Sequence, residues 1–310
     1  MSDTPLTLPA DARGDARLAA RRRAILLVLA EAFAFALAAA AVKGLDGRIP
    51  LAEVIVFRNL FALPALLPAM VAAGGFRALR TRSPLAHLQR GFWGLLGMGG
   101  SFYGYAKLPL PTVSALNFTM PLFLTLLSVP LLGERVGPRR AAAVVVGFAG
   151  VLLMLRPGFG SDAPDPVAAG AVLLAALGWA MAMISIRRMG ENGEAGVTIV
   201  LWFALLALVV SLLAAIPVWV WPTAEQWALL FVAGAVSGVA QLLMTAAYRG
   251  GESALLAPFE YSGILWTTIL GAVFWDRLPE ALDFAGFAVL VGSGLYIWQR
   301  EVKAKAGAAS

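Results

Sequence analysis

Three ionisable side chains stand inside long apolar stretches: Glu31 in LLVLAEAFAF, Arg58 in VIVFRNLFAL and Glu260 in LLAPFEYSGILW. A charge at the centre of a membrane-crossing helix costs about 2.5–3.5 kcal/mol on insertion scales, so such a group normally faces a partner or a watery cavity. Glu260 can hold a cationic or hydrogen-bonding part of a solute, or carry a proton. In the plainer reading it reaches water from near a helix end. Pro258 has no N–H for the carbonyl of Ala254, which leaves that oxygen open to water or a ligand. Arg58 keeps its charge and suits a clamp on a carboxylate or phosphate. Alternatively it pairs with Glu53 or Glu31, or its long side chain reaches external water. Glu31 in turn either touches the solute or neutralises Arg58.

Aromatic and amide side chains are the next candidates. Trp93, Phe102, Tyr103, Tyr105, Trp179, Trp202, Tyr261 and Trp266 offer stacking faces for a solute, although most membrane aromatics face lipid or pack. Asn117 and Gln241 are sharper signals, because an amide in hydrocarbon needs partners. We find no set of residues for catalysis or metal binding. Cysteine is absent and the single histidine, His87, falls in an Arg-rich segment read as a loop. Neither H-E-x-x-H nor G-x-S-x-G occurs, and GLLGMGGSFYG lacks the Lys-Ser/Thr ending of a phosphate loop. An intramembrane enzyme would rest on Glu31 and Glu260 alone, and a membrane scaffold would need no interior charge. No cofactor is expected.

The elements that must hold these residues are helices. Of 310 residues, 60% are hydrophobic and 14% charged, where a soluble domain carries about 25% charged residues. Apolar runs long enough to cross a ~30 Å hydrocarbon layer recur near 24–42, 52–73, 91–107, 111–132, 140–156, 167–187, 197–218, 226–248, 253–275 and 282–300. The first run exceeds a signal-peptide core and no cleavage pattern follows it, so it reads as an anchor. Residues 1–20 form a basic arm expected to be disordered, and residues 301–310 a cytoplasmic tail. With the N-terminus inside, eighteen of the 24 Lys and Arg fall on the cytoplasmic side and five outside, a bias that places both termini in the cytoplasm. The net charge of +6 is thus a topology signal, not a sign of nucleic acid. In this frame Glu31 and Glu260 lie about 10 Å from the cytoplasmic ends of their helices, and Arg58 about 9 Å from the external end of its own.

Sliding the chain by 142 residues superposes Lys107 on Arg249, Ala115 on Ala257, Thr125 on Thr267, Glu134-Arg135 on Asp276-Arg277, Gly150 on Gly292 and Leu153 on Leu295. Two halves of five helices each are repeats, and an odd helix number turns the second upside down. That predicts an all-α integral membrane protein with ten transmembrane helices as two inverted five-helix repeats, 24–156 and 167–300, around a central cavity. Gly100-x-x-x-Gly104 and Gly234-x-x-x-Gly238 predict close helix contacts. Prolines 64, 68, 121, 130 and 258 predict kinks, and Gly263, which matches Pro121, predicts a straighter second copy.

The unit PLFLTLLSVPLLGERVGPRRAAAVVVGFAGVLLMLRPG (121–158) and its partner ending in FWDRLPEALDFAGFAVLVGSGLYIW resemble the EamA-type transporters of the drug/metabolite transporter superfamily. The resemblance implies a cavity lined by the first four helices of each half and a small-molecule substrate within a lipid bilayer. RNLFALPALLP and APFEYSGILW resemble a bacterial branch that includes carriers proposed for S-adenosylmethionine and riboflavin. The expected activity is secondary transport of a small polar metabolite across the inner (cytoplasmic) membrane, proton-coupled or facilitated. An efflux carrier for amino-acid-type metabolites is the alternative. Monomer and homodimer both remain open.

Overall fold

A computed structural model describes residues 10–132, 137–155, 164–250 and 253–308, and among them the secondary structure is helical, with no strand. The helices are α1 (Ala10–Gly44), α2 (Leu51–Ala72), α3 (Pro84–Lys107), α4 (Leu110–Asn117), α5 (Met120–Leu132), α6 (Pro138–Leu155), α7 (Pro166–Glu191), α8 (Gly196–Ala215), α9 (Ala224–Gly250), α10 (Ser253–Glu260), α11 (Ser262–Trp275) and α12 (Ala281–Ala308). Eight segments of the described residues are long and apolar enough to cross a membrane. They match eight of the ten expected spans. The third expected span lies in α3, whose first turns carry His87, Gln89 and Arg90, and the ninth is divided between α10 and α11.

α3 begins at Pro84, so His87 and Arg90 are helical and buried instead of lying in a loop. α1 begins at Ala10 and α12 runs to Ala308. Residues 10–20 are therefore helical where disorder is expected, since their Ala and Arg content favours helix. The pair Glu134-Arg135 lies outside the described residues.

The fourth and ninth expected spans are each interrupted, at Phe118–Thr119 and at Tyr261. Pro121 explains the first: without an N–H it cannot bond to the carbonyl of Asn117, and the chain tightens into three-residue bonds such as Thr119 N to Leu116 O at 3.0 Å. In the second copy Gly263 stands in place of Pro121, and the interruption shrinks to a single residue, Tyr261, three positions after Pro258. Thr125 and Thr267 each return a hydroxyl hydrogen bond to the carbonyl four residues back, Pro121 O at 2.9 Å and Gly263 O at 2.8 Å. α2 stays one helix through Pro64 and Pro68.

α1 packs along α9, α3 along α7, and α6 along α12, while α2 lies on α8 and α9 and α4 meets α11. Glycines permit these approaches. A Cβ on Gly100 or Gly104 would strike Ala171, Ala175 or Val172 of α7, and one on Gly234 or Gly238 would strike Phe61, Ala62 or Ala65 of α2. The outer face is greasy, with Leu26, Val71, Phe92, Val145, Leu213 and Val273 exposed. Such a surface suits hydrocarbon and not water.

Candidate functional site

The two interruptions meet. Phe118, at the end of α4, sets its ring 4.8 Å from that of Tyr261, and Gly263 leaves room for it, its absent Cβ lying 3.5 Å from Phe118 Cζ. Beside Phe118, Asn117 Oδ1 accepts a hydrogen bond from Ser101 Oγ of α3 at 2.9 Å. Ser101 Oγ in turn accepts from Trp179 Nε1 of α7 at 3.4 Å. Three elements, α3, α4 and α7, thus converge on one amide at a helix end.

On the other side of the Phe118–Tyr261 contact, Glu260 closes α10 and Glu31 faces it from α1, close enough for their charges to interact. Glu31 is only 7% exposed, and its Oε2 has no hydrogen-bond partner among the described residues. Phe33 meets Trp266 edge-on at 5.1 Å, and the Trp266 indole nitrogen is buried without a partner among the described residues. Acid and aromatic groups therefore share the space between α1 and the α10–α11 junction.

Arg58 lies apart from both carboxylates. Its Nη1 donates to Asn59 Oδ1 at 3.3 Å, and Asn59 Nδ2 donates to Ile55 O at 2.8 Å and approaches Met98 Sδ at 3.9 Å. Met98 is one turn before Ser101 on α3, so the arginine adjoins the Asn117 cluster. The pairing of Arg58 with Glu53 or Glu31 is not what the fold makes: Glu53, fully buried, accepts a hydrogen bond from Val220 N at 3.1 Å and ties the α8–α9 connection to α2.

Of the residues read from the sequence, Glu31 and Glu260 approach each other, Asn117 and Trp179 meet through Ser101, Tyr261 packs on Phe118 and Trp266 on Phe33. Gln241 is half-buried on α9, the helix packed along α1. Tyr103 packs against the same core cluster as Tyr105 and Phe118. Trp93 sits two turns before Ser101 with its ring 5.1 Å from Phe92. Sequence reasoning passed over Ser101, Asn59 and Phe118. For Ser101 the signal was a hydroxyl among glycines in an apolar run, where only neighbouring helices can supply a partner.

Comparison with known proteins fits this arrangement. A profile of the EamA-like transporter family matches residues 22–156. An S-adenosylmethionine uptake transporter of Rickettsia bellii is 29% identical over 84% of this chain and 88% of its own length. A riboflavin transporter of Rhizobium johnstonii is 32% identical over 80% of this chain and 79% of its own. The pseudopaline exporter CntI of Pseudomonas aeruginosa is 30% identical over 86% of this chain and 93% of its own. A crystal structure covering 87% of this chain superposes with a TM-score of 0.62 at 21% identity, a likeness of fold. These matches mark a multi-pass membrane protein whose relatives are transporters and not enzymes.

Proposed function

The chain belongs to the EamA-like transporter family, and on that premise we propose that it is a secondary carrier moving a small polar organic metabolite across the inner membrane by alternating access. Its spans form two inverted five-helix repeats with both termini in the cytoplasm. The observation that carries this reading is the meeting of two helix interruptions, at Phe118–Thr119 and Tyr261, which fall at equivalent positions 142 residues apart. Broken helices at matching places in two repeats are how such carriers build a midplane site, because half-helix ends offer free backbone groups there. The helix pairing supports it: exchanging the halves turns the contact of α1 with α9 into that of α7 with α3, and α6 with α12 maps onto itself.

The residues proposed to line the site are Glu31, Arg58, Tyr105, Asn117, Trp179, Gln241, Glu260, Tyr261 and Trp266, to which the geometry adds Ser101 and Phe118. Tyr103 and Trp93 hold the walls. Acid and aromatic groups together suit a cationic or aromatic solute, and uptake of an S-adenosylmethionine-like or riboflavin-like molecule is the first reading. Efflux of an amino-acid-type metabolite is the second, favoured by Arg58 beside the Asn117 cluster and by the exporter among the relatives. Coupling to protons would run through Glu260. Flux into and out of proteoliposomes, measured across a metabolite panel with and without a pH gradient, tests all of this. Absence of flux for every solute in both directions would remove the carrier reading.

A further inference from the structure

The proposed path leaves one group of buried polar atoms unused, near the start of α3. His87 is 1% exposed and Arg90 8%, and they stand one helical turn apart on the same face. Three of their nitrogens, His87 Nδ1 and Arg90 Nε and Nη1, are buried with no hydrogen-bond partner among the described residues. Both side chains face α8. The His87 ring stacks on Trp202 at 5.2 Å, and the Arg90 guanidinium lies over Phe203 at 4.0 Å. Gly94 makes room, since its absent Cβ would overlap both Arg90 Nη1 and the Phe203 ring.

Neighbouring acceptors serve other atoms. Glu194 Oε1 lies 3.4 Å from His87 Nε2 and Thr81 Oγ1 lies 3.1 Å from the same nitrogen, while Trp202 Nε1 donates to Leu79 O at 3.0 Å. The ring of Phe203 attracts the charge of Arg90 but does not saturate its N–H donors, and a guanidinium is built to grip an oxyanion with two of them. Met98, which meets Asn59 beside Arg58, is eight residues along α3 from Arg90, about 12 Å at the helical rise. This cluster is therefore separate from the Arg58 site.

We propose that His87 and Arg90 form an oxyanion-binding site between α3 and α8, which takes a carboxylate or phosphate group. Glu194 holds the Nε2 edge of His87, and the bound oxyanion accepts from Nδ1 and from the Arg90 guanidinium. The site stands independently of the transport reading. His87 is the single histidine of the chain, so ring-15N-histidine labelling of untagged protein reports on it alone. In dodecyl maltoside micelles, which carry no phosphate, sodium phosphate or sodium acetate added at constant ionic strength should displace the Nδ1 resonance saturably toward that of a hydrogen-bond donor. Arg90→Gln should weaken this response roughly tenfold or more, whereas Arg58→Gln should leave it intact; Arg90→Lys checks that the helix pair still forms. In nanodiscs, a displacement already complete with phosphatidylglycerol and indifferent to added phosphate assigns the oxyanion to a lipid headgroup, and one that needs soluble anion assigns it to a solute. A resonance that ignores all these anions, or that chloride moves equally, overturns the site.

Discussion

At the scale of single residues, the interior charges and amides divide the work by what they can exchange. Glu260 is the one proposed to couple solute to proton, so Glu260→Gln should abolish transport or flatten its pH profile while membrane insertion stays normal. Wild-type flux with an unchanged profile would remove it from the mechanism. Arg58 is the proposed clamp, and losing a charged hydrogen bond costs about 1.5–3 kcal/mol, roughly tenfold to hundredfold in affinity. Arg58→Gln should therefore raise KM for a carboxylated solute and spare a neutral analogue. Equal effects on both would make the arginine structural. Asn117 accepts from Ser101, which Trp179 also joins, yet hydrogen bonds between membrane helices average only about 0.6 kcal/mol. Asn117→Ala should thus fold with little change in Tm while losing solute binding; a large drop in Tm with intact binding would show the cluster to be scaffolding.

At the scale of elements, stability rests on glycine-mediated helix contacts, and the proposed movement on the two interruptions. Gly104 lies so near Val172 of α7 that a side chain there meets the neighbour directly. Overpacking of this kind costs about 1–3 kcal/mol. Gly104→Val should lower the melting temperature of the detergent-solubilised protein, whereas Gly170→Ala, with open space around its Cβ position, should not. Comparable melting of the two would show that the α3–α7 contact contributes little. At this same end of α3, Lys43 Nζ donates to Leu108 O at 2.8 Å and lies 5.6 Å from the Trp275 ring. One cation thereby joins the ends of α1, α3 and α11.

At the scale of the whole molecule, the proposed inversion of the halves is directly testable because the chain contains no cysteine. Arg139→Cys and Glu280→Cys should label from opposite sides of the membrane with an impermeant maleimide. Labelling from one side only would end the alternating-access reading. The sequence alone determined the apolar segments, the basic bias of their connections, the family resemblance and the interior positions of Glu31, Arg58 and Glu260. Those follow from local composition and from a repeat that aligns without gaps, both written in one dimension. It foresaw a kink at Pro121 and a straighter second copy at Gly263, where the break narrows to the single residue Tyr261. Which side chains meet was decided only by tertiary packing. Ser101 and Asn117, or Phe118 and Tyr261, are brought together by helix rotation and crossing, set by distant small residues that no local pattern specifies. The same packing took His87 and Arg90 out of a presumed loop and buried them against α8, because the neighbouring helix supplied aromatic faces that their own segment lacks.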